Sequence, residues 1–306
     1  MKYTKRGIKP YDFVKIRDFL SVSYKERPFL KNWLIDRWNF SRYFGQIMHN
    51  TFNTWLDTIG LWVNSQDNIV AIVHTDGEKN RGGVFFQFGN AHISDNLLDD
   101  MINYSEENLF SVSENKKFIN FRVNQDKNRL RDILTKRNYK IQNWIDPVSS
   151  LIITRDYEVK LPKGFRISDG REINNYQKGF AHGRAFGYYN ADTPDDNDAE
   201  KAFKSLRKAP DYNPVLDLSI VDQKNEIASF AIIWHDNLNQ IGILEPVGTI
   251  PKYRRMGLGK AIIYEGINRI KKYGAKKVYV GSEQQFYLSI GFSLEYYKEI
   301  WQKKWQ

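Results

Sequence analysis

The stretch Ile241-Gly242-Ile243-Leu244-Glu245-Pro246-Val247-Gly248-Thr249-Ile250-Pro251-Lys252-Tyr253-Arg254-Arg255-Met256-Gly257-Leu258-Gly259-Lys260-Ala261 passes from an apolar run through a basic loop into a helical pattern. The run ending near Ile250 is expected to be a strand. Pro246 and Gly248 interrupt it and predict an edge or a bulge. A helix is expected from about Gly257 to Tyr273, with Ile263, Ile267 and Ile270 at helical spacing. Gly274 is its stop signal, and Lys271 and Lys272 suit the negative end of its dipole. A helix start offers unpaired N–H groups and partial positive charge. Gly257 and Gly259 let a phosphate approach the backbone, and Arg254 and Arg255 add charged donors. A loop of this kind suits a pyrophosphate.

Two familiar pyrophosphate loops are excluded. A phosphate-binding loop of the Walker type needs Ser or Thr after Gly-Lys, where Ala261 stands, and a glycine where Arg254 stands. A dinucleotide fingerprint needs a third glycine at position 262, which is Ile262. What is left is Arg-x-x-Gly-x-Gly, Arg254 to Gly259, after a strand. This resembles the coenzyme A loop of the GNAT N-acetyltransferase superfamily. Downstream, Lys277-Val278-Tyr279-Val280 is a strand, and Phe286-Tyr287-Leu288-Ser289-Ile290-Gly291-Phe292 is similar to the family's Tyr-x-x-x-Gly-Phe segment. The resemblance covers roughly residues 215 to 300.

The chain has 306 residues, room for two domains of ordinary size. It is 41% hydrophobic and 15% aromatic, enough for packed cores. It has no cysteine, which removes disulfides, thiolate nucleophiles and cysteine metal sites, and a cytoplasmic location is expected. Met1 to Arg6 leads into polar sequence rather than an apolar signal core, and no apolar run is long enough to span a membrane. The net charge of +10 is spread along the chain, without an arginine-rich arm or an RNA-binding aromatic signature. A solvated basic surface is the expectation, rather than a nucleic-acid partner.

In chain order, helices fill the first ~45 residues, with Asp12 as a candidate cap. Trp33 and Trp38 are expected in a core. Ile59 to Val63 and Ile69 to Val73 form a hairpin around Asn64 to Asn68. Strands at Gly83 to Phe88, Phe118 to Val123 and Val148 to Thr154 alternate with helices around Met101 and from Leu130 to Tyr139. A similar order follows a junction near Asp156 to Pro162. It comprises a strand at Gly164 to Ser168, helices at Arg171 to Phe186 and Asp198 to Lys208 around a polar break at Asn190 to Asn197, and a hairpin of Leu216 to Val221 and Ile227 to Trp234. The loop-helix unit and closing strands complete it. The expected fold class is mixed α/β: two tandem GNAT-like domains, each a mostly antiparallel mixed sheet flanked by helices. Their boundaries are set at 1–157 and 158–306. Only the pattern repeats, not the letters. After Phe88, Gly89-Asn90-Ala91-His92-Ile93-Ser94 has neither the arginine nor the second glycine. The first half thus resembles the degenerate half of tandem family members, with a structural role, or else a peptide-binding or regulatory one.

The resemblance implies acetyl coenzyme A as cosubstrate, with Val247, Gly248, Thr249, Arg254, Arg255, Met256, Gly257, Leu258, Gly259 and Lys260 as its binding residues. It implies that backbone N–H groups around Val247 to Thr249 meet the thioester carbonyl and that the Tyr287 phenol meets the leaving thiolate. Period-2 alternation puts Glu245 on the face of Val247, in an apolar strand that raises a carboxyl pKa. It is a candidate base, with a water-mediated base or a purely structural carboxylate as the alternatives. His182 and Arg184 lie in the segment that in the superfamily often lines the acceptor site. His235 and Asp217 are weaker candidates. The five histidines form no ligand pair, so no metal is expected, and no Gly-x-Ser-x-Gly elbow occurs. The reading is an acyltransferase moving acetyl directly to a primary amine, small molecule or peptide, in a ternary complex. The alternative is a coenzyme A-binding sensor or scaffold without catalysis. The acceptor's identity and the oligomeric state are not encoded in these motifs.

Overall fold

The computed structural model describes residues 3–9, 11–49, 54–77, 82–89, 93–188 and 198–305. The expected polar break at Asn190 to Asn197 and residues 90–92 of the Gly89 to Ser94 segment lie outside them. The chain divides into two compact units, and neither is one continuous stretch. The first comprises Met1–Trp38, His49–Val148 and Leu294–Gln306; the second comprises Asn39–Met48 and Ser149–Ser293.

The first unit carries strands β1 (Thr4–Arg6), β2 (Gly60–Val63), β3 (Ile69–His74), β4 (Gly83–Phe88), β5 (Ser111–Ser113), β6 (Lys116–Asn124) and residues 140–148 of β7 (Lys140–Ile152). Its helices are α1 (Asp12–Glu26), α2 (Ile35–Phe40, divided at the unit boundary), α4 (Asp95–Asn108) and α5 (Asn128–Lys136). Between α2 and β2 the chain adds a short α3 (Gln46–Met48), which belongs to the second unit. The sheet order is β1-β2-β3-β4-β6, then the C-terminal strand β13 (Ser293–Lys304) and β7; β4 and β6 run parallel. Trp62, Phe121, Met101, Ile102 and Leu134 are among the residues of its core. Asp12 does not cap α1, because it is already the first helical residue. Its carboxylate instead takes two hydrogen bonds from Arg6 and one from Lys9 N–H.

The second unit carries residues 149–152 of β7, β8 (Arg166–Asp169), β9 (Asp217–Val221), β10 (Ile227–Asp236), β11 (Ile241–Thr249) and β12 (Lys277–Val280). Their order is β7-β12-β11-β10-β9-β8, and only β11 and β12 are parallel. Helices α6 (Asn175–Phe186), α7 (Asp198–Leu206), α8 (Leu258–Lys272) and α9 (Gln285–Ser289) complete it, and its residues 41–45 form a π-helical turn. α6 begins later than expected because Asn174 and Gln177 form a capping box there. On α8, Leu258, Ile262, Ile263, Ile267 and Ile270 are all buried against the sheet. Each buried side chain of this kind contributes about 1.5–3 kcal/mol, which holds the helix start in place. α8 ends at Tyr273 and Gly274, the latter left-handed at φ +90°. Among the described residues, no helix is long and apolar enough to cross a membrane.

Candidate active site

The site is built on β11. Its parallel ladder with β12 runs from Ile241–Lys277 to Leu244–Val280 and stops, while its antiparallel ladder with β10 continues to Thr249. Between the pairs Ile233–Leu244 and Ala231–Val247, β11 has one residue more than β10. That bulge takes in Glu245 and Pro246, joined by a cis peptide, and is one of the two outcomes, edge or bulge, that the proline predicts. Ile250 N–H donates to Ala228 O at 3.0 Å. Bonded pairs recur at every second residue of such a ladder. Gly248 therefore bonds towards β10, while Val247 and Thr249 turn their N–H groups to the edge that β12 has left. Glu245, Val247 and Thr249 are half-buried and Pro246, Gly248 and Ile250 buried, so alternation holds from the bulge onward.

Gly248 faces α6. A Cβ there would lie 2.5 Å from the Phe230 ring and 2.9 Å from Ala185 Cβ, so only glycine lets strand and helix approach this closely. The loop after β11 is held by its own side chains. Tyr253 OH donates to Asp222 at 2.6 Å, and Lys252 pairs with Glu226 at 2.8 Å. Arg254 Nε donates to Thr249 O at 3.1 Å and its Nη2 to Ala185 O at 3.0 Å, tying strand end to helix α6. Arg255 and Gly257 both adopt left-handed backbone, at φ +67° and +78°. Gly257 is the N-cap of α8, and no side chain caps the helix. The first N–H returned to the cap carbonyl is that of Ala261, to Gly257 O at 3.0 Å. The amides of Leu258, Gly259 and Lys260 form the first turn, which a helix cannot satisfy from within. A Cβ on Gly257 would meet nothing within 4 Å, so the space over the helix start is open. Gly259 differs: its missing side chain makes room for Phe286, 3.1 Å from the Cβ position, and Thr249 Oγ1 at 3.3 Å. It therefore brings the helix start, the strand end and α9 together.

Tyr287 lies on α9, buried, with its ring against Phe286 and Phe292. Burial raises its hydroxyl well above the usual phenol range, and the charge of Glu245 raises it further. The two residues singled out as base and acid thus stand within electrostatic reach of each other. Trp234 Nε1 donates to Glu245 O at 2.7 Å and holds the bulge from the β10 side, a contact with no local sequence signal.

His182 is 4% exposed. Its ring is enclosed by Phe44, Phe186 and Phe203, with centroids 5.0, 4.6 and 5.5 Å away, and burial pushes its pKa down to about 3. It is therefore a neutral ring inside an aromatic cluster. Arg184, half-buried, lies over the Phe180 ring at 5.1 Å. Asp217 is consumed structurally: it pairs with the fully buried Lys178 at 2.6 Å and accepts from Tyr212 OH at 2.7 Å. His235 packs near Tyr273, away from β11's open edge. Among the described residues no group of three or more His, Cys, Asp or Glu is placed to hold a metal.

A strand parted from its parallel neighbour beside an uncapped helix start leaves two sets of backbone donors open at one place. Residues 182–292 match the family model described as acetyltransferase (GNAT) family, and this part of the chain is a GNAT domain. The match ends at Phe292, one residue before the second unit does. Solved structures place the whole chain in a tandem GNAT fold. A GCN5-related N-acetyltransferase from Sphaerobacter thermophilus is similar at TM-score 0.64 and 13% identity, over 99% of this chain and 95% of that one. A tandem GNAT protein from the clavulanic acid biosynthesis pathway is similar at TM-score 0.64 and 9% identity, over 99% and 98%. N-myristoyltransferase of Saccharomyces cerevisiae, solved with myristoyl-CoA and inhibitors bound, is similar at TM-score 0.56 and 11% identity, over 98% and 79%. Comparison with curated protein sequences gives no match.

The buried state of His182 has a measurable consequence. Its folded pKa lies below the unfolded value of about 6.5, so the unfolded chain takes up its proton first as pH falls. The stability it carries is complete above that value and is lost as pH falls towards 3. Relative to His182→Phe, the unaltered chain should lose up to about 1.4 kcal/mol per pH unit between pH 6.5 and 4, measured by denaturant titration. A stability difference that stays flat over this range contradicts a neutral, enclosed ring.

Proposed function

We propose that the chain is an N-acetyltransferase that carries acetyl from acetyl coenzyme A to a primary amine, with all of the chemistry in the second half. One observation carries this reading: the free edge of β11 ends at the open, glycine-capped start of α8, with Tyr287 buried close enough to feel the charge of Glu245. The residues fit the cosubstrate. The first-turn amides of α8, with Arg255 and Lys260, suit the pyrophosphate, and the open space over Gly257 receives it. The N–H groups of Val247 and Thr249 suit the amides and acyl oxygen of an extended arm lying along the edge.

Acetyl coenzyme A supplies an acyl group activated as a thioester. Glu245 takes the ammonium proton, directly or through a water, and so frees the amine lone pair. The outward N–H of Val247 stabilises the oxygen on which negative charge develops. Tyr287 stays protonated, because burial and Glu245 both oppose its ionisation. Its hydroxyl is therefore a hydrogen-bond donor to the sulfur as the thiolate forms.

The same reading leaves the first half, residues 1–157, without a cofactor. There β4 also outruns its parallel partner: the ladder with β6 stops at Phe85–Arg122, while β4 continues on β3 to Phe88. Gly89 N–H bonds to Val70 O, so Phe88 turns its polar groups to the open edge as Thr249 does. That edge is filled. Asn32 accepts from Phe88 N–H and donates to Phe88 O, both at 2.9 Å. A side chain of the same unit thus stands where a ligand's amide would be, which supports a structural role for this half.

Two measurements test the proposal. Gly257→Val should weaken coenzyme A binding, measured by calorimetry, by tenfold or more, about 1.4 kcal/mol or above. Gly274→Val has the same left-handed strain in equally open space at the far end of α8, and should leave affinity unchanged. Equal affinities in both variants would remove the loop from the site. Tyr287→Phe should lower kcat by ~10²–10⁴-fold in a thiol-release assay while changing the acetyl coenzyme A Kd by less than about threefold. Near-normal kcat would remove the hydroxyl from the mechanism.

A further inference from the structure

A cleft of about 590 Å³ lies beside the start of α8, within the range of small-molecule sites. One wall is the helix flank Gly257, Lys260, Tyr264; the other is the segment Arg155 to Pro162, which enters the second unit ahead of β8. This segment is fastened to α8. Tyr157 N–H donates to Asn268 Oδ1 and Asn268 Nδ2 donates to Tyr157 O, both at 2.8 Å. The rings of Tyr157 and Tyr264 lie 4.7 Å apart. Lys271 pairs with Asp156 and Lys160 with Glu158, so the carboxylates lining the cleft already have partners. Arg155 and Lys260 have no ion-pair partner among the described residues. Each lies over one of the two tyrosines, at 5.5 and 5.3 Å.

From these observations we propose that the segment Arg155 to Pro162 forms a subsite for the 3′-phosphoadenosine end of coenzyme A, with Arg155 as the residue that reads the 3′-phosphate. The inference rests on the coenzyme A reading of the helix start. With a pyrophosphate centred on the first turn of α8, the cleft continues from Leu258 for about one and a half turns, roughly 9 Å, to Tyr264. That is the span a nucleoside needs beyond its phosphates. The tyrosine pair offers an apolar surface for a purine, and Arg155, which has no ion-pair partner among the described residues, suits a phosphate monoester that carries close to two charges at neutral pH. Arg155 is held by the linker rather than by the pyrophosphate loop. Its effect on the 3′-phosphate is therefore separable from binding of the rest of the molecule.

The test is calorimetry of the full chain with coenzyme A and with 3′-dephospho-coenzyme A. The unaltered chain should prefer coenzyme A by about tenfold. Arg155→Gln should cost coenzyme A most of that factor and change dephospho-coenzyme A by less than about twofold. Equal weakening of both ligands, or no weakening of coenzyme A, overturns the assignment of Arg155. A chain that binds both equally well before substitution overturns the subsite and leaves the pyrophosphate loop standing. A chain that binds neither removes the coenzyme A reading and this inference with it.

Discussion

The parting of β11 from β12 after Leu244 is the constraint on which the rest depends. A strand edge that loses its neighbour inside a folded unit leaves N–H groups that need partners. Here the loss falls where β11 bulges at Glu245 and Pro246 and where Gly248 lets α6 close on the other face. The strand then leads within a few residues to a helix start that has no side-chain cap. Two sets of backbone donors, one on a strand and one on a helix, are thus left facing outward by one short stretch of chain. Extended ligands that end in phosphate match that arrangement better than any compact solute.

The first unit repeats the geometry and resolves it differently. Its parallel strands β4 and β6 also part, and the phase of the β3–β4 ladder presents Phe88 to the vacated edge. Asn32 satisfies both of its backbone groups, and Arg27 reaches the next carbonyl, that of Gly89, at 2.9 Å. An Asn amide reproduces a peptide unit, so it stands in for the missing strand. The contrast between the two units is one of filling rather than of fold. An edge bonded by its own unit is stable and closed; an edge left open trades some stability for a place to bind.

Much of the second unit was legible because its signals are local. Gly257, the isoleucine spacing of α8 and Gly274 are neighbours in sequence and act within one helix. Tyr287 was singled out because its segment, up to Gly291 and Phe292, resembles the family's Tyr-x-x-x-Gly-Phe. Pairing partners were not legible, because a period-2 pattern states which faces are buried and not which strand lies alongside. Hence β13, last in the chain, belongs with β6 in the first unit, and residues 39–48 belong with the second. The short strands β1 and β5 were too brief to show a period. His182 was placed on the correct helix, but its enclosure depends on Phe44 and Phe203, each contributed by a different part of the chain. Asn32 and Arg155 carry no motif at all. Asn32 is singled out by its bonds to Phe88, and the segment that carries Arg155 by the bonds of Tyr157 to Asn268 on α8, which only the folded chain brings together.

The central claim is that one open edge and one helix start hold the cosubstrate in the second unit, while the equivalent edge of the first unit is closed. Amide hydrogen exchange with and without saturating acetyl coenzyme A measures this directly, since a ligand slows exchange where it bonds or covers backbone. The account predicts slowed exchange at Val247 and Thr249 and at Leu258 to Lys260, with Phe88 and its neighbours in the first unit unchanged. Protection centred on β4, or none at the start of α8, would contradict it.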